Sequence, residues 1–110
     1  MPDSITTLES LAFYDCNNLE NVQLNGDLKT IESQVFNSCD SLINITIPES
    51  VTTFGTNIFY NCASLVNIIA ANQAKYNEYS ESGHNLSAYA SKLTYEVTLT
   101  YIYADEKPNV

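Results

Sequence analysis

A repeat of 23 residues runs through the first two thirds of the sequence. FYDCNNL, FNSCDSL and FYNCASL begin at Phe13, Phe36 and Phe59, with Cys and Leu at the same places in each copy. Eight columns of mostly apolar residues keep this step over three copies, and their first members are Ile5, Leu8, Ala12, Phe13, Cys16, Leu19, Val22 and Leu24. Because so short a unit cannot bury its apolar edge alone, the copies must stack. The sequence therefore predicts a solenoid of three coils.

Each copy contains one clear strand signal. LENVQL, LINITI and LVNIIA follow an L-x-x-[VI]-x-[LI] pattern whose last part alternates with period two, as a strand does. SITTL, LKTI and SVTTF supply a second short extended piece on the other side of the coil. The stretch 11–15 and its copies are too short for a stable helix, and a single helical or 3₁₀ turn is the better prediction.

The columns stop after Ala70, and a different pattern follows. Helical spacing occurs in two pieces, Ala74, Tyr76 and Tyr79, then Leu86, Tyr89, Ala90 and Leu93, broken at Ser82-Gly83. We expect a helical cap over the last repeat, with Asn85 or Ser87 capping the second piece. LTYEVTLTYIYA then alternates as a strand. The predicted units are repeats at about 1–24, 25–47 and 48–71, a cap at 72–93, a terminal strand at 94–104 and a tail at 105–110.

The third copy carries a family resemblance. IPESVTTFGTNIFYNCASLVNI is similar to the repeat I-P-x-S-V-T-x-I-G-x-x-A-F-x-x-C-x-S-L-x-x-I-x-I of BspA-type bacterial surface proteins. The second copy shares most of the fixed positions. After the first copy, however, the sequence reads NGDLKT where the family repeat would have Pro-x-Ser-Val. The resemblance covers about residues 1–71. It implies a short leucine-rich-repeat horseshoe, β-rich with short helical turns and parallel strands on its concave face, and it implies surface display and binding without catalysis.

The residues able to do chemistry favour structural interpretations. Cys16, Cys39 and Cys62 are odd in number and lack the close pairing of metal sites, so we interpret them as a buried ladder, with a disulfide between neighbouring coils as the alternative. His84 is the single histidine and is interpreted as a solvated loop residue, because a catalytic role needs an orienting partner and a pocket. No motif indicates a catalytic site, a metal site or a cofactor, and we expect no enzyme activity.

The charge balance excludes several classes of partner. The formal net charge is −9 with four basic residues, whereas nucleic acids and anionic membrane surfaces require basic patches. The sequence has no apolar stretch of the roughly 20 residues that a membrane-spanning helix needs. We therefore expect no nucleic-acid partner and no membrane insertion.

The outward positions of the repeated strand are the candidate binding residues. Asn21, Asn44 and Asn67 form a strict column, and Gln23, Thr46 and Ile69 form the column beside it. Extended concave surfaces are how solenoids bind partners. The alternative, compatible with binding, is an Asn ladder whose amides bond to one another along the stack. The surface is uncharged and becomes apolar towards Ile69, which suits a protein or glycan.

Two functions from different classes follow. The first is a non-catalytic binding module of a bacterial cell-surface or secreted adhesion-type protein, contacting a host or neighbouring-cell protein. The second is a structural spacer or self-assembly module of a surface or phage appendage. Because MPDSITTL aligns with IPESVTTF, no N-terminal capping unit is visible. We expect either a fragment of a longer array or homo-association through this N-terminal edge or the 95–103 strand.

Overall fold

Two parallel sheets run along opposite sides of a coiled chain. The protein is described by a computed structural model, which covers residues 5–96. Its elements, in chain order, are β1 Thr7–Leu8, β2 Asn21–Gln23, β3 Thr30–Ile31, β4 Asn44–Thr46, β5 Thr53–Phe54, β6 Asn67–Ala70, α1 Gln73–Ser80, a 3₁₀ helix Ser87–Lys92 and β7 Leu93–Tyr95. One sheet has the order β1-β3-β5 and the other β2-β4-β6-β7. The prediction of a repeat solenoid with parallel strands is confirmed.

The sheets are in register with the sequence repeat. Asn21 pairs with Asn44 and Asn44 with Asn67, while Thr7, Thr30 and Thr53 pair in the same way on the other sheet. Because side chains alternate along a strand, each coil sends one set inward. Ile31, Ile45 and Ile68 are fully buried. The apolar columns of the sequence therefore form one continuous core between the sheets.

The stretch 11–15 and its copies form single turns with i to i+3 hydrogen bonds, as from Tyr14 N to Leu11 O at 3.1 Å, and none of them extends into a helix. Two positions in each coil have positive φ, and they are Leu11 (64°), Asp15 (60°), Gln34 (61°), Ser38 (63°), Asn57 (53°) and Asn61 (61°). Alternate amides of this stretch donate to the neighbouring coil, as from Phe13 N to Val35 O at 2.9 Å. This side of the coil thus adds a third set of bonds between coils.

Phenylalanine and cysteine fill the space under these turns. The rings of Phe13 and Phe36 stack 5.4 Å apart at 6°, and those of Phe36 and Phe59 stack 5.7 Å apart at 10°. The Cys39 thiol donates to Phe13 O at 3.1 Å, and the Cys62 thiol donates to Phe36 O at 3.0 Å. All three cysteines are free. The structure therefore has the core ladder and not the alternative disulfide.

The segment after the third coil packs against its open side. Helix α1 begins after Asn72, whose side chain accepts from Lys75 N at 2.9 Å. Buried Tyr79 meets Phe54 edge-on at a centroid distance of 5.1 Å, and Tyr89 meets Phe59 in the same way at 5.5 Å. The two tyrosines therefore cover the ends of two apolar columns.

The second helical piece differs from its prediction. It is a 3₁₀ helix preceded by Leu86, with no side-chain cap, so neither Asn85 nor Ser87 caps it. Because residues three apart align in a 3₁₀ helix, Leu86 and Tyr89 face the core, whereas Ala90 is exposed. Leu93 begins β7, which pairs with β6. Of the strand predicted at 94–104, residues 97–104 lie outside the described residues, as does the predicted tail.

Candidate partner-binding surface

All six candidate residues lie on the outward face of the larger sheet. Asn21, Asn44 and Asn67 begin the three strands, and Gln23, Thr46 and Ile69 follow two positions later. The residues between them, Val22, Ile45 and Ile68, belong to the core or pack against it. We call this outward surface, formed by the six candidates and Thr94, the amide face.

The three asparagines form a hydrogen-bonded ladder. Asn44 Nδ2 donates to Asn21 Oδ1 at 2.8 Å, and Asn67 Nδ2 donates to Asn44 Oδ1 at 2.8 Å. A carboxamide has two N–H donors and two acceptor lone pairs, so each residue keeps bonding capacity after the ladder is made. The ladder holds neighbouring coils together and also displays polar groups at regular spacing along the sheet.

The asparagine ladder ends at Asn67, because the chain has Lys92 at the corresponding position before the next strand. Lys92, immediately before β7, directs its Nζ to Leu65 O at 2.9 Å. Its ammonium group therefore donates a hydrogen bond to a backbone carbonyl beside β7, the edge strand of the sheet. The six candidates themselves carry no formal charge.

Thr94 extends the amide face beyond the predicted residues. It pairs with Ile69 in the parallel register of β6 and β7. Thr94 does not fall in the repeated columns because β7 is offset from the 23-residue step. Ile68 pairs with Leu93, whereas that step would reach Ser91. The alternation in LTYEVT was the only sequence signal for this position.

The thiols are poorly suited to chemistry. Burial raises the pKa of Cys39 and raises that of Cys62 to about 11, although a hydrogen bond with the backbone of the preceding cysteine, Cys16 for Cys39 and Cys39 for Cys62, acts in the opposite direction. A thiolate nucleophile needs a lowered pKa and access to its substrate. The two buried cysteines of the ladder have neither.

His84 differs from the solvated loop residue of the sequence prediction. It is half-buried, and its ring lies 5.1 Å from that of Phe54 and 5.3 Å from that of Tyr79. Its Nδ1 accepts from Leu86 N at 3.0 Å. The packing explains why this histidine occupies the turn between α1 and the 3₁₀ helix.

Residues 5–96 contain no cluster of three metal-ligating side chains. No helix in the same range has the length and apolar character needed to cross a bilayer.

Comparison with protein families decides the relationship. The model described as "BspA type Leucine rich repeat region (6 copies)" matches residues 1–105. The chain belongs to the BspA-type leucine-rich repeat family. The match continues past the three coils into the C-terminal segment, beyond the range over which the sequence resemblance was drawn. No curated protein and no solved structure matches the chain.

Family membership fixes the broad kind of function. Leucine-rich repeats commonly mediate protein interactions, and the family is typically non-catalytic. BspA-type repeats are usually surface-associated.

Proposed function

We propose that this BspA-type chain is a non-catalytic binding module of a cell-surface or secreted adhesion-type protein. Its partner is a protein of a host or neighbouring cell, bound through the amide face. The observation that carries the proposal is the ladder of Asn21, Asn44 and Asn67, which presents an ordered, uncharged surface across three strands.

The chemistry of the amide face supports a protein partner. The asparagine carboxamides keep donors and acceptors that the ladder does not engage. Such groups can bond to the backbone and polar side chains of another protein. Ile69 and the exposed Ile43 and Val66 add apolar area along or beside the same strands. Specific interfaces combine apolar area with hydrogen-bonding groups.

The ladder decides which residues to change. Asn44 bonds to both neighbouring asparagines, so an Asn44→Ala variant would lose two hydrogen bonds as well as binding groups. Thr46 and Ile69 lie outside the ladder, and arginine at these positions would place bulk and charge on the surface. Thr7, on the opposite sheet, provides a matched control as Thr7→Arg.

Biolayer interferometry against purified extracellular-matrix, serum and bacterial surface proteins tests the proposal. We expect at least one protein to bind the wild type, and Thr46→Arg with Ile69→Arg to weaken it by about tenfold or more, as for central interface residues. Thr7→Arg should bind like the wild type. Equal binding by both variants would contradict the role of the amide face.

One observation favours the alternative of a spacer or self-assembly module. A cavity of about 360 Å³ at the first coil is lined by the apolar Ile5, Phe13, Leu19 and Val22 and also by Asn21 and Gln23 of the amide face. Exposed apolar patches often mark association surfaces. Light scattering separates the two functions: self-assembly predicts a concentration-dependent dimer that Val22→Asp abolishes, whereas the adhesion proposal requires no dimer.

A further inference from the structure

We propose that the smaller sheet carries a second binding site, a groove for a neutral oligosaccharide. Two clefts of about 360 and 300 Å³ adjoin on this side of the solenoid and share Thr53 and Phe54. Volumes of about 300–1,000 Å³ are typical of small-molecule sites. The groove is separate from the amide face, and the proposal does not depend on the function proposed above.

Gly55 lines the groove at a close approach between two coils. In the preceding coils the same column holds Glu9 and Glu32, so a side chain is missing only in the third. A Cβ added at Gly55 would collide with the backbone of Ser33 and would lie 2.6 Å from the carbonyl carbon of Glu32. The backbone of the neighbouring coil therefore occupies the place of a Gly55 side chain, and the two coils approach each other closely beside Thr53 and Phe54.

The groove presents polar groups that keep free hydrogen-bonding capacity. The Thr53 hydroxyl has no hydrogen-bond partner within residues 5–96. Asn85 donates from Nδ2 to Phe54 O at 2.7 Å, which leaves its Oδ1 as an acceptor. His84 accepts at Nδ1 from Leu86 N, so Nε2 carries the ring proton and can donate.

One carboxylate and one aromatic group complete the lining. Glu32 accepts from Ser10 N at 3.0 Å through Oε1, and its Oε2 keeps acceptor capacity. The half-buried Phe54 ring, packed against His84, supplies apolar surface. Hydroxyl, amide, imidazole and carboxylate groups around an aromatic ring match a ligand that has many hydroxyl groups and apolar ring faces.

The charge of the groove selects a neutral ligand. No lysine lines either of the two described clefts, whereas Glu32 does. A phosphorylated or carboxylated ligand would face this charge without a compensating cation. Because the two clefts form one open groove, a short chain of sugar units fits better than a compact metabolite.

NMR titration of the ¹⁵N-labelled chain tests the proposal with four trisaccharides: maltotriose, cellotriose, xylotriose and triacetylchitotriose. We expect saturable shifts for at least one sugar at the amides of Thr53, Gly55 and His84. Thr53→Val removes the hydroxyl and keeps the strand-forming side chain. It should weaken binding by about three- to tenfold, the effect of losing one hydrogen bond.

Thr7→Val is the matched control, because Thr7 belongs to the same column but lines neither cleft. It should bind like the wild type, and Glu32→Gln should weaken binding while keeping the acceptor for Ser10 N. Absence of saturable shifts with all four sugars would overturn the proposal. So would shifts confined to the amide face, or equal affinity of Thr53→Val and the wild type.

Discussion

Each buried cysteine thiol is bonded to the coil before it. Cys39 donates to Phe13 O and Cys62 to Phe36 O, and both side chains are almost completely enclosed. Cys16 has the same place in the first coil but is only partly buried. Three cysteines at the same repeat position thus differ in their access to reagents, because the burial of each depends on the neighbouring coils.

Native thiol labelling measures this difference. With iodoacetamide near pH 8, we expect Cys16 to react readily and Cys39 and Cys62 to react only after unfolding, because burial limits access and raises their pKa. Peptide mass spectrometry reports each site, with urea-unfolded protein as the control. Labelling of Cys62 as fast as Cys16 in the native chain would contradict the ladder.

Gly55 should tolerate no side chain. Gly55→Ala places a Cβ against the backbone of Ser33, and we expect the free energy of unfolding to fall by about 1–3 kcal/mol, the usual cost of overpacking. At Gly26 an added Cβ meets no atom within 4 Å, so Gly26→Ala is the control and should change stability by about 0.5 kcal/mol or less. Urea unfolding measures both, and equal values would be inconsistent with the close approach.

At the scale of elements, the turns are where local preference and fold disagree most. Leu11 has φ of 64°, and Gln34 and Asn57 repeat this conformation. Only Asn among these types adopts it readily. The bonds between coils impose the conformation, and a sequence pattern alone shows little of it because Leu in the first copy gives no turn signal. The strands, in contrast, could be predicted because their inward residues recur with one spacing.

Leu11→Asn should therefore stabilise the protein. Leu11 is about half exposed (49%), so little burial is lost, and Asn relieves the cost of a left-handed residue. We expect the free energy of unfolding to rise by about 0.5–1 kcal/mol, part of the 1–2 kcal/mol left-handed cost. Asn57→Leu is the reciprocal variant and should lower it. A decrease for Leu11→Asn would contradict the assigned turn.

At the scale of the whole molecule, two sheets share one core and expose two unlike faces. The outward position of the six candidates could be predicted because these residues keep the repeat, as in the column of Asn21, Asn44 and Asn67. Thr94 and the groove beside Gly55 could not, since they depend on the offset of β7 and on packing between coils. Where a repeat protein departs from its period, the position of its residues follows from packing and has to be taken from the structure.

Global stability should fall in alkaline solution. Burial raises the pKa of Cys62 from 9.0 to about 11, so between pH 9 and 11 the unfolded chain loses this proton first. The unfolded state then binds fewer protons, and the free energy of unfolding decreases as pH rises. Urea unfolding at several pH values checks this. Cys62→Ser, which does not titrate here, should show a shallower slope, and an unchanged slope would contradict the assignment.

Hydrogen–deuterium exchange of the chain, free and bound to a protein partner found in the interferometry panel, tests the binding role of the amide face most directly. We predict that the partner slows exchange at residues 21–23, 44–46 and 67–69. Exchange at residues 30–33 and 52–55, on the opposite sheet, should stay unchanged. Protection confined to the opposite sheet, with none at residues 44–46 and 67–69, would contradict partner binding through the amide face.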